Sequence, residues 1–178
     1  MKKRVFVGAI IAAAMICAIS ALAVGKEALF KDYNVVVVQA FKVTPNTPAP
    51  DNAGKEIADA IVYQVRRYSQ QYGLFDMVIM EGSAPVPAGK KVLLIKGEVK
   101  EYTRPTVGRE IQRGFTPWGS HVGSAAFAAH YQFVDKQTGN VINEQDLRSG
   151  STGSNNTVEY AMQRNAEAAA KFIYKNKK

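Results

Sequence analysis

The hydrophobic and polar positions along this chain change period several times. Residues 33–41, Tyr-Asn-Val-Val-Val-Val-Gln-Ala-Phe, form a β-branched run with polar bounds. Such a run reads as a strand buried on both faces, and therefore as a central one. Three prolines between Thr44 and Gly54 then break any ladder. From about Ala53 to Tyr72 the period becomes helical: Ile57, Ile61, Val65 and Tyr68 recur on one face, and Ala58, Ala60 and Val62 widen the stripe. Asp51 or Asn52 is placed to cap this helix, and Gly73 to end it. Phe75–Met80 predicts a short strand, and a proline- and glycine-rich loop follows from Gly82 to Gly89.

Lys91–Tyr102 is apolar at first and then alternates, so it predicts a strand that emerges from the core into water. Ser124–Asp135 alternates throughout. Ala125, Phe127, Ala129, Tyr131 and Phe133 share one face, and Ala126, Ala128, His130 and Gln132 share the other. The link Asp135–Asn140 carries Gly139 where a left-handed turn residue belongs, and Asn140–Gly150 returns as the partner strand. After a small-residue loop, Asn156 with Glu159 three residues on has capping-box spacing. The helix it opens carries Val158, Met162, Ala166, Ala169 and Ile173 on one face. The expected architecture is an α+β, two-layer α/β sandwich in the order β-α-β-β-β-β-α. Its mixed, mostly antiparallel sheet has about five strands, and both helices bury their stripes on one face.

The amino-terminal segment belongs to a different class. Lys2, Lys3 and Arg4 precede an uncharged run from Val5 to Leu22, and Ala21-Leu22-Ala23 offers the small residues that a signal peptidase reads. The expected division is a signal peptide over residues 1–23 and a single envelope domain over 24–178, with the mature chain in the periplasm. Two alternatives stay open. The eighteen-residue run is also long enough to remain as a membrane anchor through residues 5–23. Cys17, the chain's one cysteine, is also a position for lipid attachment. Ile16 stands where the lipoprotein pattern wants a small residue, which argues against lipidation. With the leader removed the domain has no cysteine, hence no disulfide, thiol nucleophile or zinc–thiolate site. The 23 basic residues lose Lys2, Lys3 and Arg4 with the leader, leaving 20 against 15 acidic, a net of +5. That excess suits an envelope protein or an anionic envelope polymer as partner, and contact with a membrane only through an uncleaved leader. Nothing in the motifs supports nucleic acid. An oligomer fits as well.

Enzyme chemistry finds little support. Of the two histidines, His130 lies in a strand among alanines and His121 at a loop edge beside Ser120 and Ser124, and no Gly-x-Ser-x-Gly elbow is present. Metal-ligand spacings, calcium loops and phosphate-binding glycine loops are missing from the sequence, so no metal or cofactor is expected. Glu98 and Glu101, three apart in a strand, are expected on opposite faces, which spoils them as a glycosidase pair. An envelope enzyme acting on glycan or lipid through Glu110 and His121 is the competing reading. The stretch of densest character is Gly108–His121, GREIQRGFTPWGSH. Arg104, Arg109 and Arg113, with Trp118 and His121, make it a candidate partner-binding loop. Guanidinium forks grip carboxylate or phosphate, and an exposed tryptophan anchors interfaces.

Three segments together carry a resemblance: the Val-Val-Val-Val-Gln-Ala-Phe strand with its helix, the glycine-rich loop leading into a strand, and Tyr131–Ile142 with the closing helix. They are similar to a bacterial cell-envelope family catalogued as domain of unknown function 4410. Gly108, Arg109, Gly114, Gly119, Gly123, Asp135, Thr138 and Gly139 occupy its motif positions. More remotely, the order of elements resembles the α/β assembly domains of curli-secretion lipoproteins, of penicillin-binding-protein activator lipoproteins and of the TolB amino-terminal domain. The resemblance implies a non-enzymatic interaction or assembly module in the envelope. Many members of the first family are lipoproteins, a trait that Ile16 places in doubt here.

Overall fold

The computed structural model of the protein describes residues 28–105, 124–151 and 155–178. Its elements run β1 (Val35–Val38), β2 (Lys42–Val43), α1 (Ala53–Tyr72), β3 (Met77–Met80), β4 (Val92–Thr103), β5 (Ala125–Asp135), β6 (Val141–Ser151) and α2 (Val158–Lys175). The sheet order is β3-β1-β4-β5-β6, with β2 added against β4. All four valines of β1 are buried, as a strand between parallel neighbours β3 and β4 requires. Beyond β4 the sheet turns antiparallel. The β4–β5 and β5–β6 ladders hold ten residue pairs each, against four, four and two in the parallel pairings.

The expected α+β sandwich is thus found, with six strands where the pattern announced about five. The addition, β2, is two residues long and has no period to read. It arises from a bulge. Val38 pairs with Ile95 and Lys42 with Glu98, so four steps on one strand face three on the other. The extra residue swings Phe41 into the core, its ring edge-on to Tyr131 at 5.0 Å. Room for that ring exists because residue 97 is glycine. A β-carbon there would lie 2.6 Å from the Phe41 ring and would collide with the His130 carbonyl oxygen. Gly54, in the first turn of α1, is needed on the other side of Phe41, whose carbonyl oxygen occupies the place of its β-carbon.

Both helices lie on one face of the sheet. Ile57, Ile61 and Val65 of α1, and Val158, Met162, Ala166, Ala169 and Ile173 of α2, join Val36, Val38, Leu93, Ile95, Phe127, Tyr131 and Phe133 in one core. Asn52 is the N-cap residue of α1, but its side chain donates to Glu56 Oε1 at 2.7 Å and caps no backbone N–H. The cap of α2 falls one residue later than the spacing indicates: Thr157 Oγ1 accepts from Tyr160 N at 3.1 Å. Asn156 instead accepts from Ala125 N at 2.7 Å and so ties the helix entry to the start of β5.

Three polar contacts close the end of the sheet where residue 28 enters. Phe30 N donates to Asn176 O at 2.8 Å. Lys177 Nζ donates to Lys31 O at 2.8 Å and to Tyr33 O at 2.6 Å. Among the described residues no helix is long and apolar enough to cross a membrane.

Candidate functional site

Of the five residues singled out for partner binding, Arg109, Arg113, Trp118 and His121 lie outside the described residues. Arg104 follows the last residue of β4, and its guanidinium carbon lies 5.9 Å from the Tyr102 ring centroid. The sheet does show where the intervening loop is rooted. The chain leaves at Thr103, which pairs with Ala126, and it returns one residue before that. Both roots therefore sit side by side at one end of the β4–β5 ladder. Glu110 of the competing enzyme reading also falls outside the described residues.

Sequence reasoning missed the other candidate, the sheet face opposite the helices. Among the described residues no helix covers it. Its hydrophobic part lies over β1, β3 and the start of β4, where Val35, Val37 and Val92 are buried against Met77, Ile79, Leu94 and, from the loop before β4, Val86. Over β4, β5 and β6 it is polar. A groove of about 360 Å³ runs across it, walled by Gln39, Ala40 and Lys42 on one side and by His130 and Gln132 on the other. Lys96, Gly97, Glu98 and Lys100 form its floor. The two bulges border it: the first falls between Val38 and Lys42, with Gln39 N still donating to Ile95 O at 2.8 Å, and the second, between Val99 and Glu101, leaves Lys100 out of the pairing.

The second bulge also corrects an expectation. Glu98 pairs with His130 and Glu101 with Ala128, residues two apart on β5, so both glutamates share the uncovered face. Strict alternation had put them on opposite sides; the inserted Lys100 shifts the period by one. They still do not make an acid–base pair. Glu98 is bound to Lys100, whose hydrogen bond and charge, helped by His130 and Lys42, hold its carboxyl below the usual range. Glu101 accepts from Arg148 Nε at 2.7 Å and from Nη2 at 3.0 Å, and this guanidinium lowers its carboxyl in turn. A glycosidase needs one carboxyl raised so that it can donate a proton. Here both are lowered.

The remaining side chains form cross-strand pairs. His130 Nδ1 lies 2.8 Å from Asp146 Oδ1, and Gln132 Nε2 donates to Glu144 Oε1 at 2.7 Å. His130 is a half-exposed sheet residue with a partner, as its alanine neighbours had indicated. Lys42 and Lys96 differ from the rest. Among the described residues neither side chain closes an ion pair or a hydrogen bond, and Lys42 acts on Glu98 only through its charge, so the groove offers two ammonium groups without a direct partner at its wall and floor. No group of three or more histidine, cysteine, aspartate or glutamate side chains placed to hold a metal occurs among the described residues. The arrangement can bind an acceptor-rich surface.

No family model matches the chain, and no curated protein matches it in sequence. Solved structures do match it in shape. PelC from Paraburkholderia phytofirmans, crystallised as a dodecamer, superposes with a TM-score of 0.54 at 15% identity, over 80% of this chain and 87% of that one. A protein of domain-of-unknown-function family 330 from Xanthomonas campestris gives 0.48 at 10% identity over 80% and 83%. A minor lipoprotein from Acinetobacter baumannii gives 0.37 at 13% identity over 80% and 91%. At such identities the likeness is one of fold, and PelC carries it: this chain is built on the same α+β sandwich.

Proposed function

We propose that this protein is a non-enzymatic, exported module of the bacterial envelope that works in the periplasm by docking to other proteins. The uncovered face of its sheet, with the loop rooted between β4 and β5, would be the contact surface. One observation carries this reading: among the described residues, a sheet whose β5 and β6 are 11 residues long has its helical layer on one face only, and the other face holds a groove with two lysines that close no ion pair or hydrogen bond. A two-layer sandwich of this kind is complete as a fold and still leaves one sheet face for a partner. The order of elements, similar to that of the assembly domains named above, supports such a role.

The partner to test first is a second copy of the chain, because a protein of the same fold is a dodecamer. A head-to-tail contact between unlike surfaces would close a ring. Two variants separate the parts: Lys42→Glu with Lys96→Glu on the sheet, and Arg109→Ala with Arg113→Ala and Trp118→Ala in the loop. Light scattering across a concentration series should show a mass above the monomer that the sheet variant reduces, and crosslinking in intact cells should lose its product in both variants. An unchanged crosslinking pattern in both, with folding retained, removes this surface from the proposal.

A further inference from the structure

The end of the molecule where residue 28 enters has a chemistry of its own. Tyr68 and Tyr72 of α1 and Tyr174 of α2 form one ring cluster, with centroids 4.6 to 5.9 Å apart, and Tyr72 is 42% exposed. Lys178 Nζ sits 4.6 Å from the Tyr174 centroid and 5.3 Å from that of Tyr72, and donates to Tyr174 Oη at 2.9 Å. Beside it Lys177 lies 5.0 Å from the Phe75 ring centroid and reaches the carbonyls of Lys31 and Tyr33. Lys91 lies 4.8 Å from the Tyr33 centroid. Three acids at this end are already engaged: Asp32 lies 3.6 Å from Lys91, Asp76 accepts from Lys90 at 2.8 Å, and Asp135 accepts from Tyr33 Oη at 2.9 Å. Among the described residues Lys31, Lys175 and Lys178 have no carboxylate partner.

We propose that this lysine–tyrosine end rests on an anionic membrane surface. Tyrosine and lysine are the side chains that favour the headgroup layer, the ring at the apolar boundary and the ammonium among the phosphates. Each lysine near such a surface adds attraction, and the set acts together. The sequence supplies the second observation. The uncharged run ends at Leu22, so only residues 23–27 separate it from Ala28. Five residues extend at most about 18 Å. A run of eighteen apolar residues in the bilayer would therefore hold this end, and not the sheet face, against the headgroups. The docking itself belongs to the folded domain and does not require that the run be retained.

The core lies wholly within the described residues, so the chain from residue 24 onward is a fair test object. It should co-sediment with phosphatidylcholine vesicles containing phosphatidylglycerol, much less with phosphatidylcholine alone, and less as salt rises. Lys31→Glu with Lys175→Glu and Lys178→Glu should weaken vesicle binding about tenfold or more. Tyr72→Ser should weaken it with the salt dependence kept. Lys55→Glu with Arg164→Glu, at the opposite end of the helices and in neither proposed surface, makes the same kind of charge change and should leave it within about twofold. Equal losses from the two charge-reversal sets, or binding to soluble polyphosphate without binding to the vesicles, would overturn the proposal. So would indifference to phosphatidylglycerol. The sheet-face variant tests self-association separately, so either idea can fail alone.

Discussion

At Gly97 the backbone of β4 passes under the Phe41 ring and beside the His130 carbonyl oxygen, so a β-carbon has nowhere to go. Gly97→Ala should lower stability by about 2 kcal/mol or more, because the neighbours are a ring and a main chain and cannot yield cheaply. Urea unfolding followed by circular dichroism would measure it. A second residue-scale prediction concerns pH. Tyr33 Oη donates to Asp135 Oδ2 at 2.9 Å, while Asp135 Oδ1 accepts from the backbone N–H groups of Gln137 and Thr138 at 2.9 and 3.0 Å. Burial works against the Asp135 carboxylate, but these hydrogen bonds and the Lys91 charge prevail and hold it below its ordinary range. Its contribution is therefore whole above a free aspartate's value of about 4 and is lost as pH falls through the lower folded value. For Tyr33, burial and then the aspartate push the hydroxyl up to about 12. That contribution is whole below a free tyrosine's value of about 10 and is lost as pH climbs toward the folded one. Tyr33→Phe should flatten the alkaline limb of a stability–pH curve and reduce the acid limb, whereas Asp135→Asn should flatten the acid limb most.

Among the elements, β5 and α2 are joined by a buried polar contact that no local pattern reveals. Tyr131 Oη donates to Asn165 Oδ1 at 2.6 Å, and Asn165 Nδ2 donates to Leu147 O at 2.9 Å, so one amide ties β5 to β6 beneath the helix. Asn165 is fully buried, and burial holds the Tyr131 hydroxyl in its neutral form, well above its ordinary range. Asn165→Leu leaves a hydroxyl and a carbonyl without partners and should cost about 2–4 kcal/mol. Adding Tyr131→Phe should recover part of that loss, and a double-mutant cycle by chemical denaturation would show the coupling. The elements themselves were mostly legible. The stripe of α1 and the alternation of β5 are periodic signals, set by one element's own geometry, and the structure keeps both. The bulges were not legible. Whether Lys100 is paired or extruded depends on the register that β4 adopts against β5, a choice made by residues 25 to 35 positions away. Each bulge shifts every later side chain by one face. The relation between Glu98 and Glu101, and the groove itself, therefore lay beyond a reading that assumes unbroken alternation.

On the scale of the whole molecule, β4 is the shared member of two halves. It pairs with β1 and β2 of the parallel half, and with β5 of the antiparallel half. The helices repeat that division, α1 beside the first half and α2 beside the second, yet the residues of both enter one continuous core. The halves should therefore unfold together. Far-ultraviolet circular dichroism and near-ultraviolet tyrosine signals should trace one coincident transition. The proposed self-association adds a condition to that experiment. Copies bound through the sheet face stabilise only the folded chain, so the midpoint should rise with protein concentration. Across a hundredfold increase the rise should be a few degrees, and Lys42→Glu with Lys96→Glu should abolish it without changing the midpoint at the lowest concentration. A midpoint that stays fixed in the unaltered protein would mean that the sheet face awaits a partner other than its own copy. That outcome would leave the cooperativity argument intact, because the single transition rests on the core and the concentration dependence on the surface.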